Sequence, residues 1–234
     1  MIRLRRFAAW LTGALLAITL AVLMLAVLLE GCGTSAAMMA WLFRTDAPAE
    51  TTGLPDSEYE GMAQMITGYL SGTVEEFQYT LTQDNGTETV LFQEHEQQHM
   101  ADCRALFLLC RKVILIAAFA VTLLVMILVL LKDRRRAAGG CLLGGGLALA
   151  LVIGICIWAA VDFDGIFVLF HQISFSNALW LLNPATDLLI RLMPTAFFVH
   201  YVILISAAWI LGLAVMLLIS FRCAKPKSSK HLSM

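Results

Sequence analysis

Long apolar runs alternate with polar stretches along this chain. Four runs, Phe7–Leu29, Ala105–Leu131, Cys141–Val161 and Thr195–Phe221, are dominated by aliphatic and aromatic residues. Each supplies the ~20 residues that a helix needs to cross ~30 Å of hydrocarbon. The second and fourth reach ~40 Å as helix and are expected to protrude beyond the lipid tails. Between the first two runs, Gly31, Gly33, Pro48, Gly53 and Pro55 read as turns. From Ser57 to Leu70, the apolar residues Tyr59, Met62, Ile66, Tyr69 and Leu70 recur at helical spacing, which predicts a short helix with one buried face. Phe77, Tyr79 and Leu81 then alternate with polar residues, Asp84-Asn85-Gly86 signals a turn, and apolar character resumes over Val90–Phe92. This is the pattern of a β-hairpin. After Phe92 the pattern becomes helical and is expected to continue unbroken into the second apolar run.

The segment Asp162–Pro194 is too polar to span a membrane and too apolar for a solvated loop. It carries Phe163, Phe167, Phe170, Phe175 and Trp180, then His171, Asn177, Asn183 and Asp187. A segment lying in the membrane interface fits this mixture, and Pro194 suits the first turn of a fourth helix. The expected fold is an α-helical membrane protein of four transmembrane helices with a small mixed α/β extracytoplasmic cap. Its parts are an N-terminus with the first helix (1–29), a cap leading into the second helix (30–104), and that helix (105–131). A basic loop (132–140), a third helix (141–161), an aromatic interfacial segment (162–194), a fourth helix (195–221) and a basic tail (222–234) complete the chain.

Composition agrees: 60% of the 234 residues are hydrophobic and 14% charged, outside the range of soluble globular domains. Charge adds a direction. Arg3, Arg5, Arg6, Lys132, Arg134, Arg135, Arg136, Arg222, Lys225, Lys227 and Lys230 all fall on one side of the runs, with Asp133 as the single carboxylate there. The positive-inside rule makes that side, and both termini, cytoplasmic. Arg104, Arg111 and Lys112 break the trend at the outer end of the second run, where they are expected to snorkel toward headgroups. "LLEGC" resembles the cleavage site of a lipoprotein signal, but Glu30 stands where a small neutral residue is needed, so the first helix is expected to stay uncleaved. The cysteines form no CxxC pair and read as small apolar side chains.

Chemistry concentrates in the histidines. "HEQQH", residues 95–99, matches H-E-x-x-H: on a helix His95 and His99 are one turn apart and Glu96 is placed to activate a metal-bound water. A zinc membrane metallopeptidase is therefore one reading, although no second zincin motif supplies the third ligand. A second frame uses Glu96, His99 and Asp102, three residues apart on one face. A carboxylate beside an imidazole fixes its tautomer and raises its basicity, which prepares a general base. A third reading makes these residues the solvated face of a non-catalytic membrane protein. His200 reads as a structural interfacial histidine. Asn177 could donate to an oxyanion or cap a helix, and Asp187 could orient His171 or pair with Arg191.

"EQQHMAD", before the second apolar run, and "FHQISFSNALWLLNPATDLLIRLMP" together resemble the lipoprotein intramolecular transacylase family, Lit. The matching positions are Glu96, His99, Met100 and Asp102, then Phe170, His171, Phe175, Asn177, Trp180, Pro184, Asp187, Leu189, Ile190, Pro194, Phe197 and Phe198. The four-helix layout with a cap between the first two helices also agrees, so the resemblance covers essentially the whole chain. Ala178 and Asn183 stand where many members have Asp, and Cys103 where valine is usual; these changes remove carboxylates near the site but neither histidine.

The resemblance implies an enzyme of the bacterial cytoplasmic membrane whose site faces the extracytoplasmic side. It implies movement of the sn-2 acyl chain of a diacylglyceryl-modified N-terminal cysteine onto that cysteine's α-amino group, giving a lyso-form lipoprotein. The family's two catalytic histidines correspond to His99 and His171, with Glu96, Asp102, Asn177 and Asp187 in support and Phe170, Phe175 and Trp180 lining the substrate. Diacylglyceryl lipoproteins are the implied substrates and membrane lipid the surroundings, with no metal, cofactor or nucleic acid. Two imidazoles with ordinary pKa near 6.5 suit the proton transfers of ester-to-amide exchange. Because donor and acceptor belong to one substrate, the remaining task is to bend it and exclude water.

Overall fold

The computed structural model describes residues 2–82 and 86–225. Among these residues, four helices are long and apolar enough to cross a membrane: α1 (Ile2–Gly33), α5 (Glu94–Leu131), α6 (Arg134–Val161) and α9 (Thr195–Ala224). Between α1 and α5 come α2 (Ala36–Asp46), α3 (Ala49–Thr52), α4 (Glu58–Ser71), β1 (Thr80–Thr82) and β2 (Glu88–Val90). Between α6 and α9 lie α7 (Phe163–Ser174) and α8 (Leu188–Leu192). The chain is a multi-pass membrane protein.

It divides into two compact units. One comprises residues 1–26, 113–156 and 206–234, the other 27–112 and 157–205. In the first, α1 and α6 pack backbone to backbone. A Cβ on Gly140 would collide with the backbone of Trp10 and Ala14, and one on Gly144 with that of Ala14. Small residues four apart are how membrane helices approach closely where no hydrophobic effect drives them together. The indole Nε1–H of Trp209 donates to the Ala21 carbonyl at 3.0 Å, tying α9 to α1.

The second unit has a conventional core. Met39, Leu42 and Phe43 of α2 pack with Tyr59, Met62, Ile66 and Leu70 of α4, and Phe77, Phe92, Met100, Leu189, Leu192 and Phe197 join them. α4 buries the face its 3.6-residue spacing dictates, and ends at Gly72, whose φ of 84° is the left-handed cap that glycine adopts without strain. Tyr59 donates its hydroxyl proton to the Ala47 carbonyl. The hairpin is short and antiparallel, with Thr80 opposite Val90 and Thr82 opposite Glu88; the Asp84 and Asn85 of its expected turn lie outside the described residues.

Several expectations need correction. Gly31 and Gly33 are not turns but the last turn of α1, and α2 escapes the sequence pattern because both its faces are apolar enough to blur the period. The expected basic loop is helical from Arg134, where Asp133 caps α6 by accepting from the Arg136 amide at 3.2 Å. The tail beyond Lys225 lies outside the described residues. Arg111 does not snorkel: its Nε donates to Glu30 at 2.6 Å and its Nη1 to the Ser71 carbonyl at 2.8 Å, holding the C-terminus of α4. Arg104 sits over the Tyr69 ring at 4.8 Å.

Candidate active site

Helix α5 begins as a polar helix above its apolar run, and its first three turns organise the site. The first turn grips the segment around α8. Gln93 Nε2 donates to the Thr186 carbonyl at 3.0 Å, and His95 Nε2 lies 2.9 Å from Asp187 Oδ2. Glu96, fully buried, accepts from the Gln93 amide at 2.8 Å and the Leu189 amide at 2.7 Å. The Gln93 bond is half of a capping box at the start of α5, and the Leu189 bond satisfies an orphan amide of α8. Its two oxygens are thus committed to backbone, so Glu96 does not fix the tautomer of His99 as the helix-face argument expects. The reason is that α8 presents its amides to the same face of α5.

The second turn carries His99, which is 7% exposed. Its ring lies 6.1 Å, centroid to centroid, from that of His171 and is inclined to it by 29°. Phe175 meets His99 edge-on at 5.2 Å. Nε2 of His99 is 3.7 Å from Cys103 Sγ, while its Nδ1 is buried without a hydrogen-bond partner. Buried polar atoms are paired almost everywhere in folded proteins, so an open one asks for a reason such as a catalytic role. Burial, then the neighbouring His171, push the His99 imidazole down to about 4 against an opposing pull from Asp102.

His171, also 7% exposed, sits on the last turns of α7. Rings surround it: Phe167 at 4.1 Å, Trp180 at 5.0 Å, Phe170 at 5.3 Å and Phe175 at 5.6 Å. Its Nδ1 is 2.7 Å from the Phe167 carbonyl. A carbonyl only accepts, so the proton resides on Nδ1 and the Nε2 lone pair is available. Burial lowers the pKa of His171, partly offset by that hydrogen bond. Both imidazoles are therefore neutral at pH 7.

The third turn carries Asp102, whose Oδ2 accepts from Asn177 Nδ2 at 2.8 Å. Asn177 Oδ1 accepts from the Leu179 amide and its carbonyl from the Trp180 indole, shaping the turn that delivers Trp180. Asn177 is thus a turn cap with one donor already given to a carboxylate. The Asp187 carboxylate partners neither His171 nor Arg191, whose Nε donates instead to the Asp187 backbone carbonyl at 3.1 Å. Burial raises its pKa, but hydrogen bonds from Thr186, His95 and the Asn183 amide outweigh this and hold it below the ordinary range. His200 pairs with Asp46 at 2.9 Å.

Phe167 and Cys103 are the site neighbours that sequence reasoning passed over as contributors. The spacing of Phe167 four residues before His171 was the available signal. Cys103 is no nucleophile, because burial and then Asp102 push its thiol up to about 12. Among the described residues no three His, Cys, Asp or Glu side chains gather so as to hold a metal ion. The H-E-x-x-H motif is divided: His95 and Glu96 serve α8, and His99 serves the ring cluster.

Residues 13–198 match the family model "Lipoprotein intramolecular transacylase Lit". The chain belongs to the Lit family. This is a family of membrane transferases in lipoprotein modification, and its solved structures share the fold. The Lit structure from Bacillus cereus superposes with a TM-score of 0.69 at 20% identity, covering 95% of this chain and 96% of that one. Two further structures of the same Bacillus cereus Lit, carrying a histidine replaced by arginine or by alanine, give TM-scores of 0.65 and 0.57 at 18% and 20% identity. They cover 94% of this chain in both cases, and 92% and 89% of their own chains. A comparison with curated proteins found no match.

Proposed function

We propose that this Lit-family protein moves the sn-2 acyl chain of a diacylglyceryl-modified lipoprotein to the α-amino group of its N-terminal cysteine, at the extracytoplasmic face of the bacterial cytoplasmic membrane. The observation that carries the proposal is the His99–His171 pair, two buried neutral imidazoles 6.1 Å apart within a wall of aromatic rings. The side of the membrane follows from the basic residues flanking the apolar runs.

The chemistry divides between the two rings. The substrate ammonium first sheds one proton to solvent. The resulting amine attacks the ester carbonyl carbon, forming the C–N bond. His171 Nε2 takes a second proton from that nitrogen and returns it to the sn-2 oxygen as the C–O bond breaks, leaving an amide and a free hydroxyl. His99, kept neutral by burial and by its neighbour, donates a hydrogen bond to the oxyanion, as a neutral imidazole does where its pKa is depressed. Two adjacent imidazoles resist a shared charge, so His99 stays neutral while His171 carries the proton. Phe170, Phe175 and Trp180 exclude water, which would otherwise hydrolyse the ester.

The test is mass spectrometry of lipoprotein N-termini from bacterial cells with and without this chain. The expected outcome is a mass-neutral shift of one acyl chain onto the cysteine nitrogen, seen in fragment spectra. An unchanged acylation pattern would refute the proposal.

A further inference from the structure

A cavity of about 130 Å³ opens beside Phe175, whose ring meets both histidines, and is lined by Asp102, Ala105 and Leu106 of α5 and by Ser174, Phe175, Ser176 and Asn177. An apolar cavity of similar size holds one benzene, so this space suits a small group and not an acyl chain. Its polar lining distinguishes it from the ring cluster. Asp102 supplies the carboxylate: Oδ2 is taken by Asn177, and the side chain is half-buried within the lining. Two serines add hydroxyl oxygens. Phe175 forms the wall shared with the reacting pair, since its ring meets both His99 and His171.

We propose that this cavity is the subsite for the substrate's α-amino group and that Asp102 is the residue that binds it. The inference rests on the transacylase reading. A cationic group with three N–H donors is what a carboxylate beside two hydroxyls recognises. An anion is disfavoured there, because a carboxylate already faces the space and the Asn177 amide of the lining already donates to it at 2.8 Å. The carboxylate has a second use. When the neutral amine attacks the carbonyl, positive charge develops on its nitrogen, and Asp102 stabilises that charge before the proton passes to His171. Binding that strengthens as the bond forms raises turnover as well as affinity. Asp102 thereby also discriminates: an N-acylated product carries no ammonium and loses its hold.

Asp102→Asn separates this role from scaffolding, because the amide oxygen still accepts from Asn177 while the charge is lost. The probes are a dialkyl-ether glycerylcysteine peptide with a free amine, which cannot react, and its N-acetylated counterpart. Their affinities for the full chain in lipid nanodiscs are measured at pH 7. The wild type is expected to bind the free amine at least tenfold more tightly, Asp102→Asn to bind both equally, and Asp102→Glu to keep the preference. Equal binding by the wild type, or an undiminished preference in a folded Asp102→Asn, overturns the assignment. If Asp102→Asn fails to fold, loss of the preference on raising the pH above the amine's own pKa replaces it, and an unchanged preference there overturns the assignment. Turnover of the corresponding diester peptide by the wild type is scored separately. Its absence overturns the transacylase reading, whereas the ether peptides report on Asp102 without any turnover.

Discussion

His95 and His99 stand one turn apart on α5, yet their surroundings are opposite. His95 is 39% exposed in its side chain and paired with the Asp187 carboxylate. His200 repeats the arrangement with Asp46 at 44% exposure. His99 and His171 are buried among rings, and neither has a carboxylate hydrogen-bonded to it. A carboxylate partner fixes the ring by hydrogen bonding and makes a histidine a strut; burial among rings without one keeps the imidazole neutral, ready to accept or share a proton. On the proposed function, the difference gives structure to one turn of the helix and chemistry to the next.

Loss of either proposed reacting group should cost the most. His171→Ala and His99→Ala are each expected to lower kcat/KM for a diacylglyceryl lipopeptide by about 10²–10⁴, with melting temperature near that of the wild type. Activity within tenfold of the wild type in either variant would end the division of labour. Glu96→Ala is expected to act in the other direction, on stability. It orphans the buried Leu189 amide and the half-buried Gln93 amide, costs about 2 kcal/mol, and should be read as a fall of melting temperature by several degrees in detergent. An unchanged melting curve would deny Glu96 its structural role.

The buried pair also leaves a signature in pH. With His171 lowered and His99 near 4, the histidine limb of kcat/KM should lie below 6.5, as a second fall beneath the one set by protonation of the substrate amine. Stability has the same sign. The unfolded chain takes up a proton near 6.5 while folded His99 resists it down to about 4, so stability is lost as pH falls through that window. His99→Gln should flatten the loss, measured as melting temperature against pH. The smallest effect is expected from His95→Ala: less than tenfold on activity and a degree or two of melting temperature, with Asp187 still held by Thr186 and the Asn183 amide. Abolished activity there would restore the metal-site reading of HEQQH.

The membrane helices were legible because length and apolar composition suffice to specify them, and α4 because one face is buried and the other wet. α2 was not, since Met38, Met39, Trp41, Leu42 and Phe43 leave no clear polar face. The glycines of α6 sit in an apolar run where spacing marks the run and says nothing of its partner. In the site, His99 and His171 were read from a resemblance; their juxtaposition depends on α7, whose placement no local pattern encodes. Glu96 shows the limit most clearly. Spacing placed it correctly on the face of His99, but which donor it meets was decided by a helix 93 residues further along.

Glu96 also makes the starts of two helices a single mechanical event. Neither the first turn of α5 nor that of α8 can fray alone, because the same carboxylate closes both. The Gln93 and Leu189 amides should then exchange hydrogen for deuterium at a common rate, one opening exposing both. One side chain, a turn away from His99, thus fastens the starts of both helices.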